Sequence, residues 1–274
     1  MPETVALIHG FSATPATWDA VLPALEAQHD VHLIGLLGHH GTDPWPDDLE
    51  VSLDAIVDGA ERSLDDAGLD TAHLVGNSLG GWVALQLAAR GRARSVVALS
   101  PAGGWHPGDP AQRKIEALFR RQHKVGTFAL RNLTGLMRRP RFRKLAFRDV
   151  VVNGDRIPPA VAVDMLRSSV ECPIYFEFLD SVQRTPFGDL AGEIDCPVLI
   201  AWGTKDRILP YTTTTERLRA LVPQARWREL PNQGHMPQWD DPVRTARLIL
   251  DEIAAATQAP ASAGQAPSAA PTSA

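Results

Sequence analysis

An α/β protein, with a mostly parallel sheet of about six strands and a helical cap inserted after the central strands, is predicted by three observations. Short apolar runs alternate with helix-like segments, one long stretch breaks that alternation with helix-like sequence alone, and a serine stands among glycines where an apolar run gives way to a helix. Strands alternating with helices call for a parallel sheet covered on both faces.

In chain order the strand candidates are Val5–Ile8, Val31–Leu36, Ala72–Val75, Ser95–Leu99 and Pro197–Trp202, with Arg226–Leu230 as a weaker alternating run. Their four to six residues suit strands better than helices. Helices are expected over Pro15–Gln28, Leu53–Ala67, Leu79–Arg90, Thr213–Leu221 and Pro242–Ala255. The run at 95–99 breaks into Ser-Pro-Ala-Gly-Gly, a strand end entering a loop. From Trp105 to Glu193 no good strand candidate occurs, and Gly126, Gly135, Pro140 and Pro158-Pro159 punctuate helix-like sequence. The expected organisation is a core over 1–104 and 194–256, a cap over 105–193 and a disordered tail over 257–274. The tail holds only Ala, Pro, Ser, Thr, Gln and Gly, and cannot bury enough apolar surface to offset its ordering entropy.

Bulk properties remove several classes of function. The chain of 274 residues is long enough for a substantial core, and 44% hydrophobic with 22% charged residues is ordinary for a globular protein. No run approaches the roughly 18 to 20 apolar residues of a membrane helix, so no stable membrane insertion is expected. The start, Met1-Pro2-Glu3-Thr4, lacks a basic leader region, and a cytoplasmic location is expected. Cys172 and Cys196 each precede a proline and neighbour no histidine, which argues against a disulfide framework and a zinc site. The net charge of −5 is uneven: Arg113 to Arg148 carries twelve Lys or Arg against Glu116 alone, about +11, leaving about −16 elsewhere. This segment is either the solvated face of surface helices or an attractor of anionic substrates or an anionic surface. No recognised module or interleaved aromatics accompany it, so no nucleic-acid partner is expected.

The chemistry centres on Val75-Gly76-Asn77-Ser78-Leu79-Gly80-Gly81. A serine hydroxyl is a poor nucleophile unless a base, itself oriented by a third group, stands beside it. Gly-x-Ser-x-Gly between a strand and a helix is the setting of a nucleophile elbow, and the positive helix end favours developing negative charge. Asp206 follows the run that ends at Trp202, where open α/β sheets place their sites. His235 follows the last run, in Gly234-His235-Met236-Pro237. Ser78, Asp206 and His235 occur in the order this architecture uses. After the first run, His9-Gly10-Phe11-Ser12 can present an N–H towards the serine, so Phe11 and Leu79 are the expected oxyanion donors. His9 is read as a structural residue beneath that turn.

These residues, with Gly203-Thr204-Lys205-Asp206-Arg207 and Gly234-His235-Met236-Pro237-Gln238-Trp239, strongly resemble the α/β-hydrolase superfamily over roughly 4–104 and 194–256. The resemblance implies a parallel sheet, the Ser78-Asp206-His235 triad, the Phe11 and Leu79 oxyanion donors and no cofactor. A serine at the elbow argues against haloalkane dehalogenases and epoxide hydrolases, which use aspartate there. The chain begins at the strand before the His-Gly turn, so a six-stranded core follows, as in plant methyl esterases and hydroxynitrile lyases.

Substrate is the open question. Asn77, together with Gln238 and Trp239, resembles the carbon–carbon hydrolases of meta-cleavage products, whose anionic dienoates would suit a basic cap. Against that, His-Gly-Phe-Ser-Ala-Thr-Pro replaces the longer glycine-rich turn of that family. Asn77, Trp239 and Trp105 are the candidate substrate-binding residues, with packing the alternative role for the tryptophans. Trp18, Trp45 and Trp82 are likewise either pocket wall or core. The leading expectation is a serine hydrolase of a small-molecule carboxylic ester, thioester or lactone. The alternatives are a dienoate carbon–carbon hydrolase and a ligand-binding receptor that retains the triad; oligomeric state is left open.

Overall fold

The computed structural model describes residues 3–106 and 108–258. Six parallel strands run β1 Thr4–Ile8, β2 Asp30–Ile34, β3 Ala72–Asn77, β4 Ala93–Leu99, β5 Val198–Gly203 and β6 Arg226–Leu230. They lie in the order β2-β1-β3-β4-β5-β6. Side chains alternate across this sheet as the two-residue strand period requires. Val5, Leu7, Val75, Val97, Leu99 and Leu199 face one side. Ala6, Ile8, Leu74, Val96, Ala98 and Ile200 face the other. Both sides are buried, which is why the central strands read as unbroken apolar runs.

The helices of the first half are α1 Leu22–Glu26, α2 Leu53–Asp66 and α3 Leu79–Ala89. Ser52 caps α2 by accepting from Ala55 N–H at 3.2 Å, closing off an otherwise unpaired donor. Helix α3 is buried on almost its whole circumference, against β1, β3, β4 and α2. Between β4 and β5 come α4 Pro110–Asn132, α5 Pro140–Ala146, α6 Pro159–Val170 and α7 Tyr175–Arg184. The chain closes with α8 Tyr211–Thr214, α9 Glu216–Leu221, α10 Pro237–Asp240 and α11 Pro242–Gln258. Trp18 and Leu25 pack with Ile249 and Ile253 of α11 on one face of the sheet, while α2 and α3 cover the other.

Three expectations need correction. The single helix over 15–28 is a 3₁₀ turn at Pro15–Trp18 followed by the short α1, because Pro23 has no N–H to carry a continuous helix through the junction. The helix over 213–221 divides at Thr215, whose hydroxyl bonds Tyr211 O at 3.0 Å. Thr257 and Gln258, assigned to the unstructured tail, close α11, with the Thr257 hydroxyl on Ile253 O at 3.0 Å. Residues 259–274 of that tail lie outside the described residues.

Candidate active site

Every residue singled out for chemistry sits at the carboxyl end of a strand: Phe11 after β1, Ser78 after β3, Asp206 after β5 and His235 after β6. In a parallel sheet those ends share one edge, which is how positions more than 150 residues apart meet.

Ser78 has φ 57° and ψ −118°, a backbone conformation costly for any residue with a side chain. It is held by its neighbours. Its N–H donates to Leu99 O at 2.9 Å, and its carbonyl accepts from Gly81, Trp82 and Ala102 N–H at 3.0 to 3.2 Å. A Cβ on Gly76 would lie 2.1 Å from Gly80 O, and one on Gly80 2.2 Å from Ile8 O, so the bend has room only for hydrogen at both places. The turn after β1 abuts the serine: a Cβ on Gly10 would stand 3.2 Å from Ser78 Cβ.

Asp206 and His235 form a buried pair, Nδ1 to Oδ2 at 2.8 Å. The second carboxylate oxygen, Oδ1, accepts from Ile208 N–H at 2.9 Å and Leu209 N–H at 2.8 Å. The aspartate is therefore fixed before the imidazole meets it, and its placement dictates that Nδ1 carries the proton and Nε2 is free to accept one.

His235 is brought to the elbow by its own backbone. The Asn77 side-chain amide donates to His235 O at 2.9 Å and to Leu99 O at 3.0 Å, while its oxygen accepts from Gln238 Nε2 at 3.2 Å. Asn77 is 2% exposed and its polar atoms are taken up by protein, so this candidate for substrate contact is a tie between elbow and histidine loop. Trp239 is similarly placed: it packs with Met137, Phe147, Val151 and Met236, off the cavity wall.

The non-helical stretch 150–153 after α5 grips the same loop. Val150 O accepts the N–H groups of His235 at 2.8 Å and Met236 at 3.2 Å. Asp240, 1% exposed, accepts from Gly234 N–H at 2.6 Å with one carboxylate oxygen and from Val152 and Asn153 N–H at 2.8 and 2.7 Å with the other. Burial raises its pKa against the pull of those three donors. Nothing in the spacing of Asp240 marked it, since a carboxylate five residues after a histidine reads as surface charge until the segment 150–153 folds onto it.

Beneath the β1 turn, His9 Nε2 accepts from Leu36 N–H at 3.0 Å and Nδ1–H donates to Gly10 O at 2.9 Å. Burial, reinforced by the neighbouring His39, lowers its pKa to about 3, so it stands neutral as a brace for the turn. Among the described residues, no acceptor takes up the N–H of Phe11 or of Leu79.

Ser78 opens into a cavity lined by Phe11, Leu79, Ala102, Trp105 and Leu209 on the sheet side. Helix α4 contributes Gln112, Ile115, Glu116 and Phe119, and α7 contributes Phe178, Leu179, Val182 and Gln183. Phe11 stacks on Phe178 at 4.7 Å between ring centres, and Trp105 meets Phe187 edge-on at 5.2 Å. Of the tryptophans left open by sequence, Trp105 is on the wall, Trp18 and Trp82 are buried in the core, and Trp45 packs against that core half-buried. The helix-borne wall was legible in principle, as apolar residues at i, i+3/i+4 spacing on α4 and α7, yet the same pattern marks any packed helix.

Among the described residues, the wall contains no Lys or Arg. Its one charged residue, Glu116, is held by Arg120 at 2.7 Å and by Gln183. The basic segment turns outward instead, apart from Arg120, half-buried on Glu116, and Arg143, which is buried and donates to Met137 O and Asp155 O.

A family model described as alpha/beta hydrolase fold matches residues 3–242. The chain is 31% identical over 201 residues to epoxide hydrolase EphH of Mycobacterium tuberculosis, spanning 72% of this chain and 93% of that one. It is 31% identical over 226 residues to a pimeloyl-[acyl-carrier protein] methyl ester esterase of Neisseria meningitidis, spanning 77% and 79%. In structure it is similar to 2-hydroxy-6-oxo-6-phenylhexa-2,4-dienoate hydrolase of Rhodococcus sp., with a TM-score of 0.71, 19% identity and coverage of 92% and 91%. The chain belongs to the α/β-hydrolase family and is a hydrolase of that superfamily.

Proposed function

We propose that the protein hydrolyses carboxylic esters of apolar acyl groups, with thioesters and lactones in the same class, through an acyl-enzyme on Ser78. The observation that carries this reading is a serine in a strained elbow opening onto an apolar, aromatic cavity without a cation in its wall. His235 Nε2 takes the Ser78 proton as Oγ bonds to the acyl carbon, and Asp206 steadies the imidazolium that results. The oxyanion is received by the N–H groups of Phe11 and Leu79, a pair worth a few kcal/mol each in such sites. His235 returns the proton to the departing alcohol, then takes one from water as its oxygen attacks the acyl carbon, and gives that proton to Ser78 Oγ as the C–Oγ bond breaks and the acid is released. Trp105 and the helices of the cap enclose the acyl chain. The esterase named among the relatives is in keeping with this assignment. The epoxide hydrolase is not carried over, because the resemblance pairs that reaction with an aspartate where this chain has Ser78. An anionic dienoate would lose its hydration in this cavity with no cation to offset the loss, which weighs against carbon–carbon cleavage.

Fluorophosphonate labelling and a p-nitrophenyl ester panel test the proposal. Labelling confined to Ser78 and lost in Ser78→Ala, with turnover rising for apolar over charged acyl groups, is expected. Undiminished labelling of Ser78→Ala, or faster cleavage of a dienoate than of any ester, would overturn it.

A further inference from the structure

We infer that the outer face of α4 docks on an anionic lipid surface. At 100° per residue Arg113, Lys114, Arg121, Lys124 and Arg131 fall, with Val125 and Phe128, inside an arc of about 120°, and the face runs for about 27 Å along the helix. All seven are exposed. No acidic residue of α4 shares this arc, since Glu116 lies towards the cavity rim. Among the described residues, Arg121 meets Asp149 at 3.9 Å, and the other four cations pair with no carboxylate within 4.0 Å. Val125 is 61% exposed and Phe128 59%, among the few large apolar side chains left in water.

The opposite face explains why α4 is a helix at all: Ile115 and Phe119 line the cavity, and Gly126 packs closely on Leu166 and Val170 of α6. The outer face owes nothing to that packing. Exposed Phe and Val cost solubility, and five cations on one stripe repel each other. A bilayer surface relieves both, with phosphates for the cations and the acyl boundary for Phe128 and Val125, the lysines and arginines reaching up along their stems. A second copy offering the same face would set cation against cation, so symmetric pairing does not fit. A soluble polyanion matches the charge and leaves the apolar pair in water.

Co-sedimentation of the full chain with phosphatidylcholine vesicles, with and without phosphatidylglycerol, tests the inference. Binding that requires the anionic lipid and weakens with salt is expected. Lys124→Gln with Arg131→Gln should lower the partition coefficient roughly 25-fold, about fivefold per charge. Val125→Ser with Phe128→Ser should lower it about tenfold. Hydrolysis of a soluble ester should stay unchanged in both variants, which shows that they fold. Equal binding to neutral vesicles, no vesicle binding, undiminished partition of both variants, or capture by DNA in preference to vesicles would each overturn it.

Discussion

Asn77→Ala separates two roles that give opposite results. If the side chain ties the histidine loop to the elbow, its loss breaks three hydrogen bonds, to Leu99 O, to His235 O and from Gln238 Nε2, and leaves the last two groups without a partner, Leu99 O keeping the Ser78 N–H. All are buried, and at roughly 1 to 1.5 kcal/mol per broken bond the destabilisation is about 3 to 5 kcal/mol, in part because water has no route to replace the amide. The activity cost follows from position. In the proposed mechanism His235, held through its own carbonyl by Asn77, is the base, and a displacement of about 1 Å of such a group lowers the rate about a hundredfold. Urea unfolding and steady-state kinetics on a soluble ester read both. Expected are a large drop in unfolding midpoint and a fall in kcat, by a similar factor for every substrate in a panel. A variant of unchanged stability whose KM shifts for some acyl groups and not others would refute the tie and return Asn77 to the substrate.

Gly80→Ala should fail to fold or lose at least about 3 kcal/mol, since its Cβ would be 2.2 Å from Ile8 O in the central sheet, whereas Gly135→Ala, with nothing within 4 Å, should fall within about 0.5 kcal/mol of the parent in the same melt. Asp240→Ala leaves the N–H groups of Gly234, Val152 and Asn153 without an acceptor. A loss of about 3 to 6 kcal/mol by urea unfolding is expected, and an unchanged midpoint would contradict the latch. His9 and His39 are held neutral by burial, with pKa values lowered from 6.5 to about 3 and about 4. The unfolded chain therefore takes up their protons first. Stability is full above pH 6.5 and falls as pH drops towards 4, by about 1.4 kcal/mol per pH unit for each histidine. His39→Gln should reduce the slope in urea titrations at successive pH values by about 1.4 kcal/mol per pH unit between pH 6.5 and about 4.

Much of the site was legible because its chemistry is tied to local backbone. Gly76-Asn77-Ser78-Leu79-Gly80 is a bend that few other sequences tolerate, and Asp206 and His235 each follow an apolar run that had to be a strand. The sheet residues likewise reported their burial, since a strand covered on two faces has no polar side to show. The role of Asn77 was not legible, because an amide beside the elbow serine can point into the pocket or back into the protein, and only the position of the 235–238 loop chooses. The basic segment posed the same ambiguity: its charge was countable, its direction was not.

By itself, then, the sequence determined the α/β alternation, the elbow and the order Ser78, Asp206, His235, all set by short-range sterics and strand periodicity. Tertiary structure alone decided that the cavity is apolar, that α4 turns its cations outward, and that Asp240 latches the segment 150–153 to the histidine loop. Those outcomes depend on which face of a helix meets the sheet, and that is settled by packing between residues far apart in the chain.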